Sequence, residues 1–253
     1  PVDQDEHCAV IRRSDVLDEA DTAALLKESA KRGVTHVSAL GAIYAGVLAF
    51  WSGNSRFTLN SPRFNRNLSW HPGLNDVVGE FATFTLHEYD ASLGTTVMEQ
   101  AEAFQEEAWG TLTHGRVSGM TLLRELARRR GGMSAAAMPV VFTAMPDASD
   151  GGSFEDDLRP LGILQRMYGS TPQVWLDCVF SVFSNKLHMY WDCRDEVFAP
   201  GLVEPMFQEF MRLVRLLARD PEAWYRPLPV RAPKVQLARR ADLYVKEPIP
   251  EST

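Results

Sequence analysis

Two polar residues set in apolar runs are the first candidates for chemistry. Thr143 closes the run PVVFT (139–143), and Asp177 closes TPQVWLD (171–177). A carboxylate among β-branched and aromatic neighbours is desolvated, which lifts its pKa toward the range where one group can both take and give a proton near neutrality. A strand-end aspartate that faces water, or that bonds a neighbouring amide, leaves the same trace in the sequence, and both readings stand at this point. No familiar local signature accompanies the pair: the chain has no GxSxG elbow, no P-loop lysine motif and no GxGxxG after a strand. Cys8, Cys178 and Cys193 lack CxxC spacing, and His7, His36, His71, His87, His114 and His188 are scattered singly, so no zinc pattern forms. Such sparse cysteines are expected to be reduced thiols.

The elements that must carry Thr143 and Asp177 belong to an acidic chain of 253 residues with a net charge of −7. That charge disfavours nucleic acid as a partner, because binding it requires clustered cations that displace counterions. With 45% apolar and 23% charged residues the composition is that of a globular protein, not a disordered one. No apolar run approaches the ~20 residues of a membrane span, and Asp3, Asp5 and Glu6 precede any apolar stretch, unlike a signal peptide. The expectation is a soluble, cytoplasmic protein.

Periodicity supplies the elements. Residues 8–13 read as a short strand, followed by a helix capped by Asp15 or Asp18, with Ala23, Leu26 and Ala30 on one face and Gly33 as the stop. Val37, Leu40, Tyr44, Val47, Leu48 and Trp51 mark a second helix, the strongest periodic signal in the chain. A strand at 57–60 precedes a turn-rich passage, and residues 77–89 read as one long strand with a bulge or close approach at Gly79. Helices at 95–112 and 117–130 follow, the second ending in Arg128, Arg129 and Arg130, which complement a helix dipole without needing a ligand. Residues 138–145 form a short strand buried on both faces, 146–160 a long polar loop, and 174–183 with 186–191 a hairpin across Ser184-Asn185. A final helix over 202–218 carries Val203, Phe207, Phe210, Val214 and Leu217 on one stripe, and the proline-rich remainder reads as a linker. Strands, a hairpin and helices without strict βαβ alternation predict an α+β fold with a mixed sheet.

FTLNSPRFNR (57–66), HPGLNDVVGEFATFTLHEYD (71–90), VSGMTLLRELARRRGG (117–132), PVVFT and TPQVWLD occur in this order. Together they resemble the heterocyclisation domain of nonribosomal peptide synthetases, a specialised relative of the condensation domain. The resemblance runs from about residue 8 to residue 224. Gln236, Arg239, Arg240 and Pro248 are similar to the linker that leads into an adenylation domain, so residues 1–224 are read as a lobe and 225–253 as that linker. Whole domains of this family have two lobes of chloramphenicol-acetyltransferase type around a tunnel. Neither the DxxxxD motif of the cyclising N-terminal lobe nor the HHxxxDG of condensation domains is present, so the resemblance is to a C-terminal lobe. With the chain opening at Pro1, an N-terminal lobe is expected on the same or a separate polypeptide.

The resemblance implies two reactions. A carrier-bound acyl thioester is first condensed with the amine of a carrier-bound Cys, Ser or Thr. The side-chain thiol or hydroxyl then attacks the new amide, and loss of water gives a thiazoline or oxazoline, rings usual in siderophores and antibiotics. The family's acid–base work is assigned to Asp177 and Thr143, with Gln173 positioning substrate. No cofactor is bound directly, since substrates arrive on the phosphopantetheine of peptidyl or acyl carrier proteins. The implied partners are an N-terminal lobe, carrier proteins and an adenylation domain, with no nucleic acid and no membrane. The chain departs from the family pattern at Glu80 and Ala82, where GDFT is usual, at Ala144 after PVVFT, and at Gly169-Ser170 before TPQ. Two other readings remain beside cyclisation: a non-catalytic lobe that docks a carrier or partner domain, and a catalyst of amide formation alone.

Overall fold

Runs rich in Val, Ile, Phe and Thr pair into one six-stranded sheet in the computed structural model, which describes residues 9–64, 71–113, 117–132, 138–145, 160, 162, 171 and 173–233. The strands are β1 (Ile11–Leu17), β2 (Arg56–Phe64), β3 (Ala82–Asp90), β4 (Val140–Ala144), β5 (Leu176–Phe183) and β6 (Lys186–Cys193), in the spatial order β1-β6-β5-β4-β2-β3. β4 runs parallel to both β2 and β5, and the remaining neighbours are antiparallel. This is the mixed sheet that the element pattern predicts. Among the described residues the α-helices are α1 (Glu19–Lys31), α2 (His36–Ser52), α3 (Val97–Thr113), α4 (Gly119–Arg130) and α5 (Val203–Arg219).

One sheet face is closed by helices. Leu176, Cys178 and Phe180 of β5 alternate inward, as do Leu187, Met189, Trp191 and Cys193 of β6. Tyr44 of α2 stacks on Phe142 with ring centroids 5.8 Å apart and meets Trp191 edge-on at 5.4 Å. All five stripe residues of α5 are buried. Gly41 lets α3 approach α2, since a Cβ there would lie 2.4 Å from the Phe104 ring. Cys178 and Cys193 are buried free thiols, while Cys8 lies outside the described residues.

Two sequence expectations change, and the choice left between two helix caps is resolved. Asp18, not Asp15, caps α1 by accepting the Asp21 N–H at 2.8 Å. The buried stripe of α1 is Thr22, Leu25 and Ser29, and Ala23 and Ala30 are exposed. Hydroxyls can line a core when bonded: Thr22 Oγ1 accepts the Leu187 N–H at 2.9 Å, and the Ser29 hydroxyl donates to the Leu25 carbonyl at 2.8 Å. The strand expected over 77–89 begins only at Ala82, the residue that pairs with Phe64 at the end of β2. Val77 and Val78 precede that ladder and are exposed, after a 3₁₀ turn over Pro72–Asp76. The hairpin forms as expected, with Ser184 and Asn185 at φ 48° and 61°, the left-handed pair of a type I′ turn.

After α5 the chain forms a 3₁₀ turn over Pro221–Tyr225 and then runs without regular structure to Pro233. It nevertheless holds to the body. Leu228 and Val230 pack on the core, Arg212 donates to the Pro229 carbonyl at 2.7 Å, and the Arg231 N–H donates to Glu209 Oε1 at 2.6 Å. A Cβ on Gly46 would meet Leu228 at 2.6 Å, so the glycine makes room for that contact. Gln236, Arg239, Arg240 and Pro248 lie outside the described residues, as does the expected loop over 146–160 except Pro160.

Candidate active site

The sheet face turned away from that core carries the polar residues. Because Leu176 and Cys178 point inward, Asp177 points to the opposite face. Strand register then sets a transverse row: Asn60 of β2 pairs with Val141 of β4, Val141 with Asp177, Asp177 with Asp192 of β6, and Asp192 with Arg12 of β1. Residues in register project to the same face, so the row places Asp177 between an apolar neighbour and an ion pair.

Thr143 lies two residues beyond Val141 on β4 and reaches diagonally to Asp177. Its hydroxyl donates to Asp177 Oδ1 at 2.8 Å, and among the described residues it is the only hydrogen-bond partner of that carboxyl. The TPQVWLD segment produces this register. Gln173 adopts φ 68° in a turn, after which the Trp175 N–H donates to the Pro139 carbonyl at 2.8 Å and starts the parallel β4–β5 pairing. Gln173 is exposed and makes no hydrogen bond to Thr143 or Asp177. The structure thus joins two of the three predicted site residues, and Gln173 shapes the turn that precedes them.

Burial pushes the Asp177 carboxyl up from 3.8 to about 6; the Thr143 hydrogen bond opposes the shift, the charge of Asp192 adds to it, and Arg12 opposes it. A carboxyl at that value exchanges protons near neutrality. It also affects stability. Folding favours the protonated form, so this contribution is complete below pH ~4 and is lost as pH rises through about 6. Asp177→Asn, which removes the buried charge, is therefore expected to stabilise the chain by up to about 2–3 kcal/mol at pH 7.5. The advantage should vanish near pH 4, and urea denaturation at the two pH values measures it.

The sequence reading missed three residues on this face. Arg12 and Asp192 form a bidentate pair, with Arg12 Nε donating to Oδ1 at 2.6 Å and Nη2 to Oδ2 at 2.5 Å. Arg12 also lies over the Tyr190 ring, 4.9 Å from its centroid. Asn60 Oδ1 is buried with no hydrogen-bond partner among the described residues. Asp192 interrupts the apolar stretch LHMYWDC (187–193) much as Asp177 interrupts its own, a signal that could have found it, whereas Arg12 and Asn60 carry no such mark and only the strand order brings the three together. Of the positions that depart from the family pattern, Glu80 accepts the Ala82 N–H at 2.6 Å, with both residues exposed at the start of β3. Ala144 ends β4, and Gly169-Ser170 lie outside the described residues.

Among the described residues, no cluster of His, Cys, Asp and Glu could hold a metal ion. No single described helix is long and apolar enough to cross a membrane.

With this geometry in place, comparisons identify the relatives. No family model matches the chain. It is 37% identical over 234 residues to phenyloxazoline synthase MbtB of Mycobacterium tuberculosis, covering 92% of this chain and 16% of that protein. It is likewise 37% identical over 210 residues to pyochelin synthetase PchF of Pseudomonas aeruginosa, covering 82% of this chain and 11% of that one. The chain therefore spans less than a fifth of these relatives. The nonribosomal peptide synthetase FmoA3 superposes with a TM-score of 0.77 at 32% identity, over 88% of this chain and 23% of that one. The cyclization-docking bidomain EpoB from Sorangium cellulosum gives 0.73 at 28% identity, over 86% of this chain and 43% of the bidomain. A condensation domain of the CDA synthetase shares the fold, with a TM-score of 0.65 at 19% identity over 48% of that domain's chain. The chain is a homologue of a segment of MbtB and PchF, and its structural neighbours are condensation and cyclization domains of nonribosomal peptide synthetases.

Proposed function

We propose that this lobe supplies the acid–base half of a heterocyclisation site, with Asp177 as proton shuttle and Thr143 as the residue that holds it. The observation that carries the reading is the Thr143–Asp177 hydrogen bond on the sheet's polar face, joined to a carboxyl that titrates at about 6. MbtB's description as a phenyloxazoline synthase supports ring formation as the class of reaction.

In the first step the amine of a carrier-bound Cys, Ser or Thr attacks an acyl thioester, an amide forms and the carrier's phosphopantetheine thiol leaves. In the second the side-chain thiol or hydroxyl adds to the amide carbonyl, and the carbonyl oxygen departs as water. Its two protons come from the nucleophile and from the amide N–H. Asp177 begins ionised, takes each proton in turn and passes it to the departing oxygen, so it ends as it began. A base whose pKa lies near the working pH suits both halves of such a relay. The Thr143 hydroxyl fixes one carboxyl oxygen and leaves the other for substrate, and Asn60 offers a further polar contact on the same face.

The site needs a second wall. In this reading it comes from an N-terminal lobe, with substrates brought by carrier proteins and an adenylation domain following the tail, in a synthetase that makes a siderophore-like product. Supplying that lobe and loaded carrier proteins, then following the acyl carriers by intact-protein mass spectrometry, tests it. Loss of one water beyond condensation is the expected result. A linear amide that persists would assign the lobe to amide formation alone, and unchanged carriers to docking.

A further inference from the structure

The ion pair beside Asp177 has no part in the relay just described, yet it occupies the adjoining position in the transverse row. Asp192 and Asp177 are cross-strand partners on β6 and β5, so two carboxylates stand side by side on one face, with Cβ atoms about 4.5–5.5 Å apart as antiparallel register dictates. Without a counter-charge, two such acids share their protons, and neither has an assigned role. Here they are made unequal. Both oxygens of Asp192 accept from Arg12, whereas one oxygen of Asp177 accepts from Thr143 and the other has no hydrogen-bond partner among the described residues. The pair is largely shielded, with side-chain exposure of 21% for Arg12 and 11% for Asp192, so its field at Asp177 is weakly screened.

We propose that Arg12 and Asp192 are positioning residues that single out Asp177 as the proton-exchanging carboxyl of this face: Arg12 occupies both oxygens of Asp192, and Asp192 in turn keeps the guanidinium off Asp177. The inference rests on the acid–base reading of Asp177, which it deepens. The charged groups that face Asp177 among the described residues are Asp192 of β6 and Arg12 of β1. β4 contributes only the neutral Thr143, and β2 the neutral Asn60. From the core side of the sheet, Cys178 and Tyr44 feel the Asp177 charge, and burial keeps both protonated at neutral pH.

The two members act on Asp177 with opposite signs, which separates this role from a merely structural one. Asp192→Asn removes a like charge and frees Arg12 to face Asp177, so the Asp177 titration is expected to move down from about 6 by roughly one unit. Arg12→Gln leaves two unbalanced carboxylates, and the titration is expected to move up by a similar amount and to become coupled. The measurement is a ¹³C side-chain carboxyl titration by NMR of the full chain, with Asp177→Asn assigning the resonance. If Arg12→Gln does not fold, the downward shift in Asp192→Asn decides when the β5 amides of that variant exchange as slowly as in the wild type, because a loosened and hydrated Asp177 would also move down. An Asp177 inflection that stays within about 0.3 unit in both variants, or that moves the same way in both, would overturn the proposal. The same variants in the reconstituted synthetase separate the two levels. A titration that shifts while the pH dependence of ring closure stays fixed supports the pair's role and removes Asp177 from the relay.

Discussion

Asp177→Asn in the complete enzyme is expected to accumulate the linear amide and to lose cyclodehydration by about 10²–10⁴-fold, the usual contribution of one positioned acid–base group. Amide formation should survive, because a carrier-bound amine already has the nucleophilicity that step requires. The asparagine keeps the size of the side chain and an oxygen to accept from the Thr143 hydroxyl, so the geometry of β4 and β5 is retained. What it cannot do is exchange a proton. The stability gain expected of the same substitution at pH 7.5 makes the comparison sharp: the variant should be more stable and inactive in ring closure, which excludes unfolding as the cause. Thr143→Val should show a smaller loss in the same step. Intact-protein mass spectrometry of the acyl carrier reads both variants directly, since amide and ring differ by one water.

Trp191→Ala is expected to destabilise the chain by about 3–5 kcal/mol, a large share of the ~5–15 kcal/mol that holds a domain folded. Trp191 is fully buried on the helix-facing side of β6, with its ring 5.4 Å from Tyr44, 5.6 Å from Phe207 and 5.4 Å from Phe210. It joins α2 and α5 to the strand whose next residue is Asp192, so a void there loosens the row that carries the site. Trp191→Phe should recover most of the loss. It keeps an aromatic ring against the same partners. Urea denaturation of the two variants checks the ranking, and a larger cost for Phe than for Ala would mean that the cluster is not the keystone of this core.

Thr143 and Asp177 were legible because each interrupts an apolar run, and a polar group in such a run must be either bonded or functional. The α5 stripe and the β5–β6 hairpin were legible because their signals are local, a helical repeat in one case and a two-residue turn in the other. The partners of Asp177 were not. Arg12 and Asp192 are 180 residues apart and meet only because β1 adds to the sheet beside β6, a pairing that no local pattern encodes. The inward stripe of α1 escaped notice because Thr22 and Ser29 are polar by type and core residues by virtue of their hydrogen bonds. Val77 and Val78 misled in the other direction: β-branched residues form a strand only beside a partner, and the described ladder with β2 begins at Ala82. Gln173 stands exposed in the turn before β5, where its left-handed backbone precedes the Trp175–Pro139 hydrogen bond that opens the β4–β5 pairing, a conformation that its residue type did not announce.

The central claim is that Asp177 exchanges the protons of ring closure. Its most direct test is the pH dependence of single-turnover cyclodehydration, measured on preformed linear amide in the wild type and in Asp177→Asn. A shuttle that must begin ionised predicts a wild-type rate that falls as pH drops through about 6, and a residual rate in the variant with no inflection there. The same inflection surviving in Asp177→Asn would contradict the account, because the titrating group would then be another residue.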